Sequence, residues 1–221
     1  MKMDLLIIGA GAHAHSVIDV VESQQTHNIV GFLDSIHPRG SDVYGYEVLG
    51  TESDLEQILA ELHCELFIAV GDNFLRHKIF QETLARVPEV DFATLIHSNA
   101  YVSHRASVAT GTVIMAGAVV NAGSEIAQGV IVNTNASVDH DGVVNQFASI
   151  APGASLGGSV AIGDRSFIGL GAMLINKVKI GEDVCVGAGA IVIESCEKDA
   201  VVLLGSPAKV IKQRAPDAPY L

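Results

Sequence analysis

The stretch VIMAGAVVNAGSEIAQGVIVNTNASVDHDG, residues 113–142, has an aliphatic residue at every sixth position: Ile114, Val120, Ile126, Val132 and Val138. Four residues after each stands a small or β-branched one: Ala118, Ser124, Val130, Ala136 and Gly142. Followed outward, the series runs without a miss from Ile96 to Val192. A hexapeptide makes one short strand and one corner, and three such sides close a triangular coil. The aliphatic residue fills the inside and the small one lets the chain turn. Such repeats gain a core only by stacking on their neighbours. The period therefore predicts a parallel β-helix over residues 96–197, of between five and six coils. Gly157, Gly163, Gly169, Gly181 and Gly187 follow aliphatic positions, where corners of unusual φ are expected.

The first half changes period. Leu5-Leu6-Ile7-Ile8 reads as a buried strand that runs into Gly9-Ala10-Gly11-Ala12-His13 and a helix to about Ser23. Asn28–Leu33, Leu66–Val70 and Asp91–Ile96 read as further strands, with a helix from about Asn73 to Ala85. Tyr46–Gly50 is a further extended segment, and Ser53-Asp54-Leu55-Glu56 reads as a capping box opening a helix. Strands alternating with helices imply an α/β unit with a small Rossmann-like parallel sheet. Three parts follow: an α/β unit at 1–95, the β-helix at 96–197, and a cap and tail at 198–221. Leu204–Ile211 reads as a turn and short cap, and residues 215–219 as frayed.

Composition narrows the function. Of 221 residues, 49% are apolar, which excludes disorder. The net charge of −12 argues against polyanion binding, which needs clustered Lys and Arg. No apolar run reaches membrane-spanning length, and the one at the N-terminus is too short for a signal peptide. Three cysteines in no metal-type spacing suit a reduced, cytoplasmic protein.

Several segments together carry a family resemblance: Gly9–His13, Phe32-Leu33-Asp34, Ala69–Asn73 with Arg76, Asn133-Thr134 through His140-Asp141, and Gly205–Lys209. The chain resembles the NeuD/PglD-like sugar acetyltransferases within the hexapeptide-repeat acyltransferases. The resemblance implies a left-handed helix, a homotrimer, and acetyl-CoA bound between neighbouring prisms. It also implies N-acetylation of the 4-amino group of a nucleotide-linked 4-amino-4,6-dideoxy sugar for bacterial surface glycans such as lipopolysaccharide O-antigen. Sialic acid O-acetylation by the same architecture, or nucleotide-sugar binding without catalysis, are the alternatives. No metal is expected: a zinc enzyme of this fold needs three converging His, and beyond the first coils the helix has only His140. Nor do its Thr residues form the flat ladder of an ice-binding helix.

By the same resemblance, His140, Asp141 and Gly158 are catalytic. His140 acts as general base or orients the substrate. Asp141 fixes its tautomer, provided a corner lets two neighbouring residues converge. The Gly158 N–H meets the acetyl oxygen, or the glycine only serves the corner. Gly11, Ala12, His13, Asp34, Ser35, Gly71, Asn73 and Arg76 bind the nucleotide-sugar. Gly9–His13 joins strand to helix as a phosphate loop does, and Asp34 stands where an acid meets ribose or base. Asn133 and Thr134 line the substrate cleft or merely serve a corner. Ser149, Gly158, Leu170, Ala188 and Lys209 contact acetyl-CoA. Lys177, Lys179, Lys212 and Arg214 offset CoA phosphates or are solvated.

Overall fold

The computed structural model describes residues 2–220. Its first part is a parallel sheet flanked by helices: β1 (Met3–Ile8), α1 (Ala12–Gln24), β2 (His27–Leu33), β3 (Asp42–Val43), β4 (Tyr46–Gly50), α2 (Leu55–Glu61), β5 (Glu65–Ile68) and α3 (Asn73–Arg86). The sheet order is β3-β4-β2-β1-β5, antiparallel only at β3–β4. The chain leaves β1 in one direction and returns to its other side at β5. A crevice therefore opens at the C-terminal end of β1, where such sheets bind ligands.

Four local expectations need correction, the last two of them below. The cap before α2 starts at Thr51, not Ser53: Thr51 Oγ1 accepts from Ser53 N–H at 3.3 Å, and Asp54 Oδ2 accepts from Thr51 N–H at 2.8 Å. Asp91–Ile96 is not a strand of the α/β sheet. Only Phe92 bridges to Leu66, while Leu95–Ile96 already pairs with Val113–Ile114 of the next coil. The third concerns the glycines of the coils and the fourth the tail.

Seventeen two-residue strands follow, β6 (Leu95–Ile96) to β22 (Ile191–Val192). From β6 to β19 each pairs in parallel with the strand 18 residues on, as Val120 with Val138 and Val138 with Leu156. The result is a left-handed parallel β-helix with three sides. Side one is β6, β9, β12, β15, β18 and β21; side two runs β7 to β22; side three runs β8 to β20. Inside lie the aliphatic residues, of which Val120, Val132, Val144 and Ile162 are fully buried and Ile96, Val102 and Val108 of the first coil partly so. Each such side chain contributes roughly 1.5–3 kcal/mol. The small residues four places on, such as Ala136 and Ala154, are buried beside them.

Left-handed backbone falls three residues after the aliphatic position, as at Gly117 (φ +69°) and Asp141 (φ +57°). Gly157, Gly163, Gly169, Gly181 and Gly187 stand one residue after it, and none has positive φ. They are there for stacking. A Cβ on Gly169 would lie 2.6 Å from Val186 O, and one on Gly157 2.8 Å from Asn176 N. The coil above passes too close for any side chain.

Side one is covered. Val113, Met115 and Ile131 share a core with α1 and the sheet, and Phe147 packs on Phe80 at 5.2 Å between centroids. The last segment forms a hairpin, β23 (Val201–Gly205) with β24 (Ala208–Gln213), which prolongs side one beyond β21. Nor do the residues after it fray. Tyr220 stacks on Phe167 at 4.3 Å and 12°, and its hydroxyl accepts from Asn73 N–H at 2.6 Å. Arg214 lies 5.4 Å from the centre of the same ring.

Candidate active site

His140 and Asp141 sit at the corner between sides two and three. Two adjacent strand residues would point apart, but Asp141 adopts left-handed backbone, which turns its carboxylate back toward the ring. Asp141 Oδ2 meets His140 Nδ1 at 2.8 Å. Asp139 completes the loop, accepting from His140 N–H at 2.8 Å and from Asn121 Nδ2 at 2.9 Å through one oxygen. The hydrogen bond that Asp141 accepts from Nδ1, with Asp139 nearby, raises the His140 pKa above the usual histidine value. A proton on Nδ1 facing Asp141 leaves Nε2 as the basic atom.

Nε2 is directed at Gly158, one coil on. A Cβ there would stand 2.5 Å from it, so glycine clears the seat for the imidazole. Gly158 has no positive φ; proximity is the reason for it. Its N–H donates to Asn176 Oδ1 at 3.2 Å, so an acyl oxygen must displace that amide to use it. Asn176 and Asp139 were not singled out in the sequence. Their signals were present: Asn176 stands one 18-residue turn after Gly158, and Asp139 adjoins His140.

Other expected residues lie elsewhere. Asn133 and Thr134 occupy the corner between sides one and two, where Asn133 Oδ1 accepts from Thr134 N–H at 2.8 Å. Leu170 and Ala188, both exposed, stand at the same corner one and two turns after Pro152. Lys209 is exposed and pairs with Glu194 at 3.3 Å, three turns beyond His140 at its own corner.

Two residues assigned to the nucleotide-sugar, Asn73 and Arg76, instead form a joint with the Ser149 side chain. Arg76, 1% exposed, donates Nε to Gly129 O at 2.8 Å, Nη1 to Val70 O at 2.9 Å, and Nη2 to Phe147 O and Asn73 Oδ1, each at 2.8 Å. Asn73 Nδ2 reaches Arg165 O at 3.0 Å and Ser166 O at 3.1 Å. Ser149 Oγ donates to Asn73 Oδ1 at 2.6 Å. Every polar atom in this cluster is spent between the α/β part and side one, so Asn73, Arg76 and the Ser149 side chain are not free for nucleotide-sugar or acetyl-CoA. Burial lowers the Arg76 pKa to about 10, which leaves it charged. Arg214 is likewise spent on Asp183 O, at 3.0 Å, and on Ala218 O.

The crevice at β1 gathers Gly11, Ala12, His13, Asp34, Ser35 and Gly71. Gly11 and Ala12 are exposed at the start of α1, and a Cβ on Gly71 would touch His13 at 3.8 Å. His13 keeps part of its surface, yet its Nε2 edge is buried and has no partner among the described residues. Desolvation and the nearby Arg76 lower its pKa to about 4. Asp34 departs from its expected role. Its Oδ2 accepts from Ala10 N–H at 2.7 Å, and its Oδ1 from the N–H groups of Ile36 and His37, each at 2.7 Å. The carboxylate braces the loops rather than offering itself to ribose, and these backbone bonds hold its pKa down against desolvation. Ser35, by contrast, is exposed at the crevice.

Residues 4–83 match the family model described as the PglD N-terminal domain. The acetyltransferase domain of PglB from Neisseria gonorrhoeae is 39% identical, with 95% of this chain and 100% of that one covered and a TM-score of 0.88. It has also been solved with acetyl coenzyme A. Perosamine N-acetyltransferase from Caulobacter crescentus, solved with CoA and GDP-perosamine, is 35% identical over 95% of this chain and 97% of that one, at a TM-score of 0.88. WeeI from Acinetobacter baumannii, 23% identical over 95% of this chain and 100% of that one, shares the fold at a TM-score of 0.82. No curated protein matches. With an α/β crevice, a coil-corner histidine and relatives matched nearly end to end, the chain belongs to the NeuD/PglD-like family of hexapeptide-repeat sugar acetyltransferases, which are acetyl-CoA-dependent acyltransferases.

Proposed function

We propose that the chain transfers the acetyl group of acetyl-CoA to the 4-amino group of a nucleotide-linked 4-amino-4,6-dideoxy sugar, for a bacterial surface glycan made in the cytoplasm. The observation that carries this reading is the His140–Asp141 pair standing over Gly158. The sugar nitrogen attacks the thioester carbonyl, and His140 Nε2 takes the proton that the nitrogen sheds. The Gly158 N–H, freed from Asn176, holds the oxyanion. Collapse breaks the C–S bond; the CoA sulfur leaves as thiolate and takes up a proton, leaving the amide. The relative from C. crescentus, with CoA and GDP-perosamine bound, supports an amino-sugar acceptor.

On this reading residues 1–95 hold the nucleotide-sugar, 96–197 form the transfer site and 198–221 cap the helix. The site is also shared between copies in a homotrimer. The α/β part covers side one, and His140 stands on the edge opposite that side. Gly158 and Leu170, both assigned to acetyl-CoA, lie on different edges of one prism. They face each other only across two prisms. Side two lies between those edges, and its outward residues Tyr101, Val119, Ser137, Ser155, Met173 and Ile191 carry no charge, as suits a face that another copy covers.

The test incubates the protein with acetyl-CoA and UDP-, dTDP- and GDP-linked 4-amino-4,6-dideoxy sugars, and follows the release of free thiol. Turnover on at least one amino sugar is expected. Turnover on sialic acid alone would overturn the reading.

A further inference from the structure

The crevice at β1 extends past Asp34 as a cleft of about 320 Å³ between the loops after β2 and β4 and the face of α3. Leu55, Leu75 and Ile79 give it apolar walls, suited to a flat ring. The carboxylates around it differ in what they already hold. Asp34 already accepts from three backbone N–H groups, and its Oδ1 meets His37 Nδ1 at 3.1 Å. Glu82 faces Lys78 at 3.9 Å. Next to the cleft, Asp54 is turned onto Thr51 and Glu56 onto Arg86, at 2.8 Å each.

Glu52 is the exception. It is half-buried and lines the cleft, and among the described residues its carboxylate has no hydrogen bond or ion pair. Its backbone is nevertheless pinned, since Arg86 donates Nη1 to Glu52 O at 2.6 Å and Nη2 to Ser53 O at 3.2 Å. A carboxylate that lines the cleft and is not engaged by the protein is left free to accept from a ligand's donors.

We propose that Glu52 reads the base of the nucleotide and selects guanine. A carboxylate offers acceptors only. Guanine presents two adjacent donors, N1–H and the N2 amino group, spaced to meet two carboxylate oxygens. Uracil and thymine offer a single N3–H flanked by carbonyl oxygens. Adenine and cytosine offer an amino group beside an acceptor nitrogen. Each of these sets at least one lone pair against the carboxylate, and such repulsion discriminates as strongly as the bond attracts. The inference rests on the proposed nucleotide-sugar reading and names the nucleotide within it.

Calorimetry of the full chain with GDP, IDP, UDP, dTDP and ADP tests it. GDP is expected to bind about ten- to a hundredfold more tightly than UDP. IDP, which lacks the N2 amino group, should fall between them. Glu52→Gln should bring GDP down to the level of UDP, and Glu52→Asp, should the first variant fold poorly, should weaken GDP alone. UDP or dTDP binding as tightly as GDP, or a GDP preference that survives Glu52→Gln in a folded protein, would overturn the assignment. Absence of binding by every nucleoside diphosphate would instead remove the nucleotide-sugar reading on which it rests.

Discussion

Two corners of the same β-helix obey one hexapeptide rule and do opposite things with polar residues. Between sides three and one, Arg76, Asn73 and Ser149 are buried and bonded on all sides. Between sides two and three, His140 and Asp141 keep more than half of their side-chain surface, 57% and 66%, and hold only each other and Asp139. The difference lies in the cover. The α/β part closes the first corner and leaves the second open. Buried donors must be satisfied within the protein, while exposed ones can wait for a substrate.

Mutation can pull the two corners apart. His140→Ala should lower kcat by about 10²–10⁴-fold and leave the melting temperature unchanged, because the ring supports no neighbour. Equal kcat for variant and wild type across pH 6–9 would end its role as base. Arg76→Met should do the reverse, costing about 3–5 kcal/mol in denaturant unfolding through four orphaned backbone carbonyls. A smaller effect is expected from Asp141→Asn. The carboxylate keeps the His140 pKa above the histidine norm, so the wild-type rate should rise with pH through that raised value. The variant should carry the inflection downward and lose roughly tenfold in kcat through the weakened tautomer. Tyr220→Phe removes one hydrogen bond at the covered corner and should cost about 1 kcal/mol in thermal unfolding with no change in KM.

A pH scan of stability is the finest probe. His13 has a folded pKa near 4 against an ordinary 6.5. The unfolded chain therefore binds the extra proton first, and stability falls as the pH drops from about 6.5 to about 4. His13→Asn should flatten that slope.

How much of this could be read in the sequence divides along the same line. Val120, Val138 and Leu156 announce the coil because each side chain's place follows from its position in the period. His140 and Asp141 were singled out by family resemblance, and the left-handed backbone at Asp141 supplies the convergence that a regular strand would not allow. Arg76 and Asn73 read as ligand contacts by family resemblance, which carries over a polar residue but not the partner facing it. Their partners on the β-helix lie 53 to 93 residues away, and no local pattern points there. Tyr220 was missed for the same reason: a terminal Pro-rich stretch looks loose until Phe167 and Asn73 are seen beneath it. Glu52 was missed because only the engagement of every neighbouring acid sets it apart.

The joint has a consequence for how the molecule comes apart. A solenoid is ordinarily a stack in which each repeat feels only its neighbours, so it can fray one rung at a time from either end. Here the start of α3 grips Gly129, Phe147 and Arg165, which stand on three successive rungs 18 residues apart. Those rungs cannot leave singly. Melting of the α/β part and of the central coils should therefore be one cooperative event, and hydrogen exchange across both should report a single opening free energy.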